Sequence, residues 1–178
     1  MKLESNNFYL RLVEKGDAQI LLDFELKNSD FFVKTSPTRN EDYFTLEGQQ
    51  KFIDHLIKLD ESHSFLMFNQ QDQLIGWVSL FEILAVPNIN SCFLGYRIDE
   101  DYQGKGYTTQ AAKLVLDYAF NTLKLHRIEA GVLLDNFGSQ RVLEKNGFIQ
   151  EGINRKNVQI NGVWRDHYIY GCLNPNEN

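Results

Sequence analysis

The chain has 178 residues, 43% hydrophobic and 24% charged, the balance of a globular domain with material for one sizeable core. Eighteen basic against 24 acidic residues give a formal net charge of −6, which argues against a nucleic-acid-binding module with its basic surface. Cys92 and Cys172 form neither a metal-ligand spacing nor a disulfide framework, and no apolar run approaches the ~18 residues of a membrane span.

The opening stretch Met1–Asn7 is polar and lacks the apolar region of a signal peptide, so the expected location is the cytoplasm. Phe8–Val13 alternates as a first strand. Asp17 then caps a helix carrying Ala18, Ile20, Leu21, Leu22, Phe24 and Leu26. Asn28–Tyr43 reads as a loop or short broken helix. A second helix starts near Thr45, with Phe52, Ile53, Leu56, Ile57 and Leu59 as its apolar face.

Ser64–Phe68 and Leu74–Leu84 read as strands joined by the polar turn Asn69–Gln73, and Ser91–Ile98 as a further strand. Tyr107–Leu123 is the clearest helix, with Ala111, Leu114, Val115, Tyr118 and Ala119 at helical spacing. Arg127–Leu134 is a strand. Gly138–Asn146 is a short helix stopped by Gly147. Phe148–Gly152 begins another strand. Asn161-Gly162, between two β-prone runs, marks a hairpin whose last strand runs to about Leu173. The order β-α-α-β-β-β-α-β-α-β-β is a mixed α/β chain, an antiparallel meander followed by a strand-helix-strand unit. No linker or repeat divides residues 1–178, so one domain is expected.

Gly104 and Gly106 sit where a strand gives way to a helix. A helix N-terminus offers about four unpaired N–H groups and a partial positive charge, and bare glycines let an anion approach the backbone. A pyrophosphate is the natural guest. A phosphate-binding loop of the Walker type would need glycine at Asp99 and Ser or Thr at Gly106. A dinucleotide fingerprint would need glycine at Thr109. Both readings fail.

The segment Gln103-Gly104-Lys105-Gly106-Tyr107-Thr108 resembles the acetyl-CoA signature of the GNAT superfamily of N-acetyltransferases, Gln/Arg-x-x-Gly-x-Gly/Ala, with Thr108 departing from it. A second stretch carries the resemblance independently. In Asp135-Asn136-Phe137-Gly138-Ser139-Gln140-Arg141-Val142-Leu143-Glu144-Lys145-Asn146-Gly147-Phe148, Asn136, Ser139, an apolar pair and Lys-x-Gly-Phe fall at the family's spacing. Leu94–Ile98, His126-Arg127-Ile128 and Ile160–His167, ending Trp-Arg-Asp-His, are similar to the Rim-type ribosomal-protein N-terminal acetyltransferases.

The resemblance implies one GNAT-like domain: a mixed, mostly antiparallel sheet of about seven strands, splayed at the cofactor site and flanked by about four helices. It implies acetyl-CoA as donor and direct attack by an amine, with no acyl-enzyme. Gln103, Gly104, Lys105, Gly106, Tyr107 and Thr108 would hold the pyrophosphate, and Tyr96 and Ile98 would meet the cofactor from the preceding strand. Tyr96 or a neighbour would supply the oxyanion amide. Asn136 would bond the pantetheine arm and Arg141 the far end. Ser139 is the candidate proton donor to the thiolate, with Tyr102 and Tyr107 as alternatives. Glu82 or Asp166, acting through water, is the candidate base. Taken alone, Asn136 reads equally as a helix cap and Ser139 as a first-turn serine. The expected acceptor is the N-terminal α-amine of a ribosomal protein, the alternatives being a polyamine, amino sugar or antibiotic. A non-catalytic acetyl-CoA-binding module is a third reading. A homodimer is compatible with the family.

Overall fold

The computed structural model describes residues 1–58 and 62–177. Leu59, expected on a helix face, lies outside them. Eight strands form one sheet in the order β1-β2-β3-β4-β5-β6-β8-β7. They are β1 (Lys2–Glu4), β2 (Phe8–Leu12), β3 (His63–Asn69), β4 (Leu74–Val86), β5 (Ile89–Ile98), β6 (Arg127–Leu133), β7 (Ile149–Ile160) and β8 (Val163–Leu173). The helices are α1 (Ala18–Lys27), α2 (Ser29–Phe32), α3 (Leu46–Lys58), α4 (Tyr107–Asn121) and α5 (Phe137–Lys145), with short 3-10 turns between.

The expected seven strands and four helices thus become eight and five among the described residues. The extra strand is β1, three residues paired to β2. The extra helix is α2, a single turn inside the segment expected as loop or broken helix. β7 runs unbroken through Arg155-Lys156-Asn157, where a continuous strand had not been expected. A bulge there places Lys156 at φ 51. Asp17 holds the N-cap position of α1, but its carboxylate turns back to Arg11 at 2.6 Å and to the Glu14 N–H at 2.7 Å.

All pairings are antiparallel except β5 with β6. On one face of the sheet α4 and α5 cover the main core. Ala111, Ala112 and Ala119 let α4 approach closely, and Val115, fully buried, contributes about 1.5–3 kcal/mol. On the other face α1 and α3 pack Leu21 and Ile53 on Leu66 and Phe68. Helix α5 ends in a Schellman motif: Phe148 N–H donates to Leu143 O at 3.1 Å and Gly147 N–H to Glu144 O at 3.1 Å. The β7–β8 turn has both central residues at positive φ, Asn161 at 49° and Gly162 at 77°, as a tight twisted hairpin requires.

Candidate active site

The site begins where the sheet opens. β5 and β6 pair only at Ser91–Phe93 with Arg127–Glu129. Beyond that, Leu94–Ile98 remain paired to β4 alone, and Ala130–Leu133 to β8 alone. The backbone directions follow from two bonds. Asp99 N–H donates to Ile75 O at 2.8 Å, so odd-numbered residues of β5 turn their peptide groups toward β4. Asn90 O accepts from His126 N–H at 2.9 Å, so even-numbered residues turn toward β6. The N–H groups of Leu94, Tyr96 and Ile98 therefore point into the opening.

A cleft of about 710 Å³ passes through this gap. At one mouth stand Gln103, Gly104, Thr108 and the start of α5. At the other stand Phe31, Phe32, Lys34 to Pro37 and His167. Gly104 and Gly106 have φ +70° and +82°, and a Cβ on Gly104 would find open space. Helix α4 has no side-chain cap, and none of the N–H groups of residues 104–109 donates a hydrogen bond among the described residues. Six consecutive free amides at the positive end of a 15-residue helix make a cradle for an anion. Lys105 is tied to the Asp101 carbonyl at 2.8 Å, so its charge stands beside the cradle.

Asn136 is a helix cap: its Oδ1 accepts from Ser139 N–H at 3.1 Å. That cap fixes Ser139 in the first turn of α5, where its Oγ lies 2.7 Å from the Tyr96 hydroxyl. Burial pushes the Tyr96 hydroxyl well above its ordinary pKa, so it stays protonated. Gln140, which the sequence reading did not single out, pins the β6–α5 loop by donating to Leu133 O at 3.2 Å and Leu134 O at 3.0 Å. Arg141 is exposed on the next turn, outside the cleft lining.

Several expected residues stand elsewhere. Glu82 is exposed at a bulge in β4 with φ 53 and is not among the cleft-lining residues. Asp166 faces the opposite side of β8 from His167, and its carboxylate accepts from Lys156 N–H at 2.8 Å, holding the β7 bulge. Tyr102 accepts from Asn69 at 2.9 Å at the β3–β4 turn, and the Tyr107 ring packs on Phe8 and Tyr102. Neither ring lines the cleft, so neither is placed to protonate a thiolate there, although the Tyr107 N–H remains in the amide cradle. The structure instead brings His167 to the cleft. Its only forewarning was its place in the Trp-Arg-Asp-His block.

The free amides, the inward-pointing N–H groups and the hydroxyl pair thus stand around one cleft. Comparison with known proteins gives the family. Residues 7–149 match the acetyltransferase (GNAT) domain. The chain is 48% identical to the probable N-acetyltransferase YjcK of Bacillus subtilis, covering 98% of each. The crystal structure of ribosomal-protein-S5-alanine acetyltransferase from Vibrio fischeri superposes with a TM-score of 0.95 at 29% identity, over 100% of this chain and 99% of that one. Spermidine N-acetyltransferase from Vibrio cholerae, in complex with CoA and spermine, superposes at 0.81 with 26% identity, over 96% and 97%. With this fold, cleft and kinship, the chain belongs to the GNAT acetyltransferases and is an N-acetyltransferase that uses acetyl-CoA.

Proposed function

We propose that the protein acetylates the N-terminal α-amine of a protein, a ribosomal protein being the favoured class, in the cytoplasm. One observation carries the choice of acceptor. Among the residues lining the cleft the single carboxylate is Asp135, and Arg165 holds it at 2.7 Å. The charged lining is otherwise Lys34 and Arg97. A polyamine carries several ammonium groups and calls for several free carboxylates. A peptide presents one amine and then neutral backbone. Two further facts support this reading: likeness to the Vibrio fischeri enzyme along the whole chain, and the hairpin tip, where Asn161 braces the loop after α2 through Thr38 at 3.1 Å.

In this reading the residues divide the work. Residues 104–109 hold the pyrophosphate on their amides, with Gln103 at the turn and the Thr108 hydroxyl adding a phosphate bond. Asn136 and the Ile98 N–H bond the pantetheine arm, and Arg141 reaches the far end. Acetyl-CoA supplies the thioester carbonyl. The Tyr96 N–H meets the oxygen as it gains charge, an interaction worth most in a dry, preorganised cleft. Ser139 gives its proton to the departing sulfur, backed by the Tyr96 hydroxyl. Cys92, buried with its thiol pushed up to about 12 by burial and the nearby Glu129 charge, has no part as nucleophile.

The test is thiol release from acetyl-CoA with a short alanine-initiated peptide, the same peptide blocked at its N-terminus, and spermidine. The free peptide should turn over and the blocked one should not. Turnover of spermidine with an inert peptide would move the assignment to a small-amine acetyltransferase, and binding of acetyl-CoA without turnover of any amine would favour a non-catalytic module.

A further inference from the structure

We propose that His167 is the catalytic base that takes the proton from the incoming amine. The proposal deepens the acceptor reading above and rests on it for the choice of amine.

Position comes first. On β8, His167 stands opposite Leu133 of β6 and Asn154 of β7, so it shares their face, the one turned toward α2 and its loop. It lines the cleft at that mouth. The ring lies on the backbone of Gly131, where a Cβ would be 3.0 Å from Nδ1. Gly131 belongs to the stretch of β6 that has parted from β5. The imidazole therefore sits at one edge of the opening while the Leu94, Tyr96 and Ile98 N–H groups point in from the other. An amine entering from the α2 side meets the base before it meets the thioester.

Chemistry narrows the choice. The other charged lining groups are committed or of the wrong sign. Asp135 is held by Arg165, and Arg97 is bound to Glu25 at 2.6 Å. The Lys34 ammonium cannot accept a proton. Neighbouring charges do not drive the imidazole either way. Arg165, two residues along β8, is spent on Asp135. Asp166 faces away. Glu129 of β6 is gripped by Arg127 at 2.9 Å, and β7 presents Asn154 and Asn157. Burial lowers the His167 pKa from its ordinary value, so the ring is neutral at pH 7. The Asn157 amide, its Nδ2 placed 3.3 Å from Nδ1, offers either its NH2 or, after a half-turn, its oxygen. The oxygen suits the protonated ring, which then works through Nε2.

The proton balance closes. The ammonium gives one proton to the imidazole. The freed nitrogen lone pair attacks the thioester carbonyl carbon, forming C–N as C–S breaks. The sulfur leaves with its electron pair and takes a proton from Ser139 Oγ, which is replenished by the second proton that nitrogen sheds. The imidazolium releases its proton to water. The products are amide, coenzyme A thiol and one solvent proton.

A base this weak selects its substrate. At pH 7 roughly one α-amine in seven is already neutral, against roughly one in 2,500 for a lysine or polyamine amine of pKa ~10.4. His167 suits the first.

The test is His167→Gln, assayed with the alanine-initiated peptide from roughly pH 6 to 9. At pH 7 kcat should fall by about sevenfold, the limit set by the share of α-amine already neutral, the deficit should grow toward pH 6 and vanish by about pH 9 as the amine sheds its proton unaided, and acetyl-CoA affinity by calorimetry should stay unchanged. Gly131→Ala, which crowds the ring, should show the same pH-dependent loss and serves if the first variant fails to fold. A deficit equal at every pH, or none, overturns the proposal. If spermidine turns over and the peptide does not, the acceptor reading falls while the same profile with spermidine still judges His167. NMR titration of the ring needs no acceptor: titration below the ordinary histidine value supports the proposal, and a charged ring at pH 7 overturns it.

Discussion

The Tyr96 hydroxyl and Ser139 Oγ lie 2.7 Å apart, one from the strand that opens the sheet and one from the helix that faces it. In the proposed reaction they act as one proton-handling unit. Ser139→Ala should slow turnover about a hundredfold and leave acetyl-CoA affinity within a few-fold. The cap from Asn136 uses the Ser139 backbone N–H, so the helix survives the change. Tyr96→Phe should also slow turnover, and the double variant should fall short of the product of the two losses. Steady-state kinetics beside calorimetry checks all three.

Gly106 begins α4 at φ +82°, a conformation that a branched residue adopts at about 1–3 kcal/mol of strain. Gly106→Val adds a side chain where the pyrophosphate is proposed to approach. Acetyl-CoA binding should disappear in calorimetry, with a modest fall in melting temperature.

Arg97 and Glu25 form a buried ion pair at 2.6 Å, the Arg97 guanidinium lying over the Phe32 and Trp77 rings. Their side chains are only 9% and 2% exposed, so removing one partner strands the other away from water. Arg97→Ala or Glu25→Gln should each destabilise by about 3–5 kcal/mol in urea unfolding. Arg97→Met with Glu25→Leu should recover much of that loss.

Cys92 and Cys172 are buried, and the Cys92 thiol is pushed up to about 12. A maleimide should label neither at neutral pH in the folded protein and both in urea, as mass spectrometry would read. Replacing Cys172 with alanine should leave turnover within about twofold, because no thiolate takes part.

His167 links pH to folding. Burial lowers its pKa in the native state below the ordinary value of 6.5, so the unfolded chain binds the proton more readily. Its contribution to stability is present above pH 6.5 and is lost as pH falls from there through the folded pKa. Wild type should therefore lose stability faster than His167→Gln over that interval in thermal melts.

Much of the fold was legible because its signals are local. Asn161-Gly162 dictates a tight turn by itself, and Gly147 closes α5 through two backbone bonds. The misses share a cause in tertiary context. β1 has three residues with no apolar alternation and exists only by pairing with β2. The run Arg155-Lys156-Asn157 has no apolar alternation to mark a strand, yet the Asp166 carboxylate holds its bulge in β7. In the site, the glycine turn and the Asn136–Ser139 spacing were visible because they follow one another along the chain. Glu82 misled because a bulge rotates it outward, and Asp166 because strand parity puts it on the far face. His167 reaches the cleft through its pairing with Leu133, a register between distant segments that no window of sequence contains.

Among the described residues, the strand pairing between the first five strands and the last three is three rungs long, Ser91–Phe93 against Arg127–Glu129. With so few rungs, this seam is expected to open more readily than the paired strands on either side. Coenzyme A bound as proposed, on the free amides at the start of α4 and beside Ser139 of α5, would act as a clasp across that seam. Donor loading should therefore raise the melting temperature and slow deuterium uptake at Leu94–Ile98 and Ala130–Leu133 together, so that the empty enzyme breathes most where it must later be stiffest.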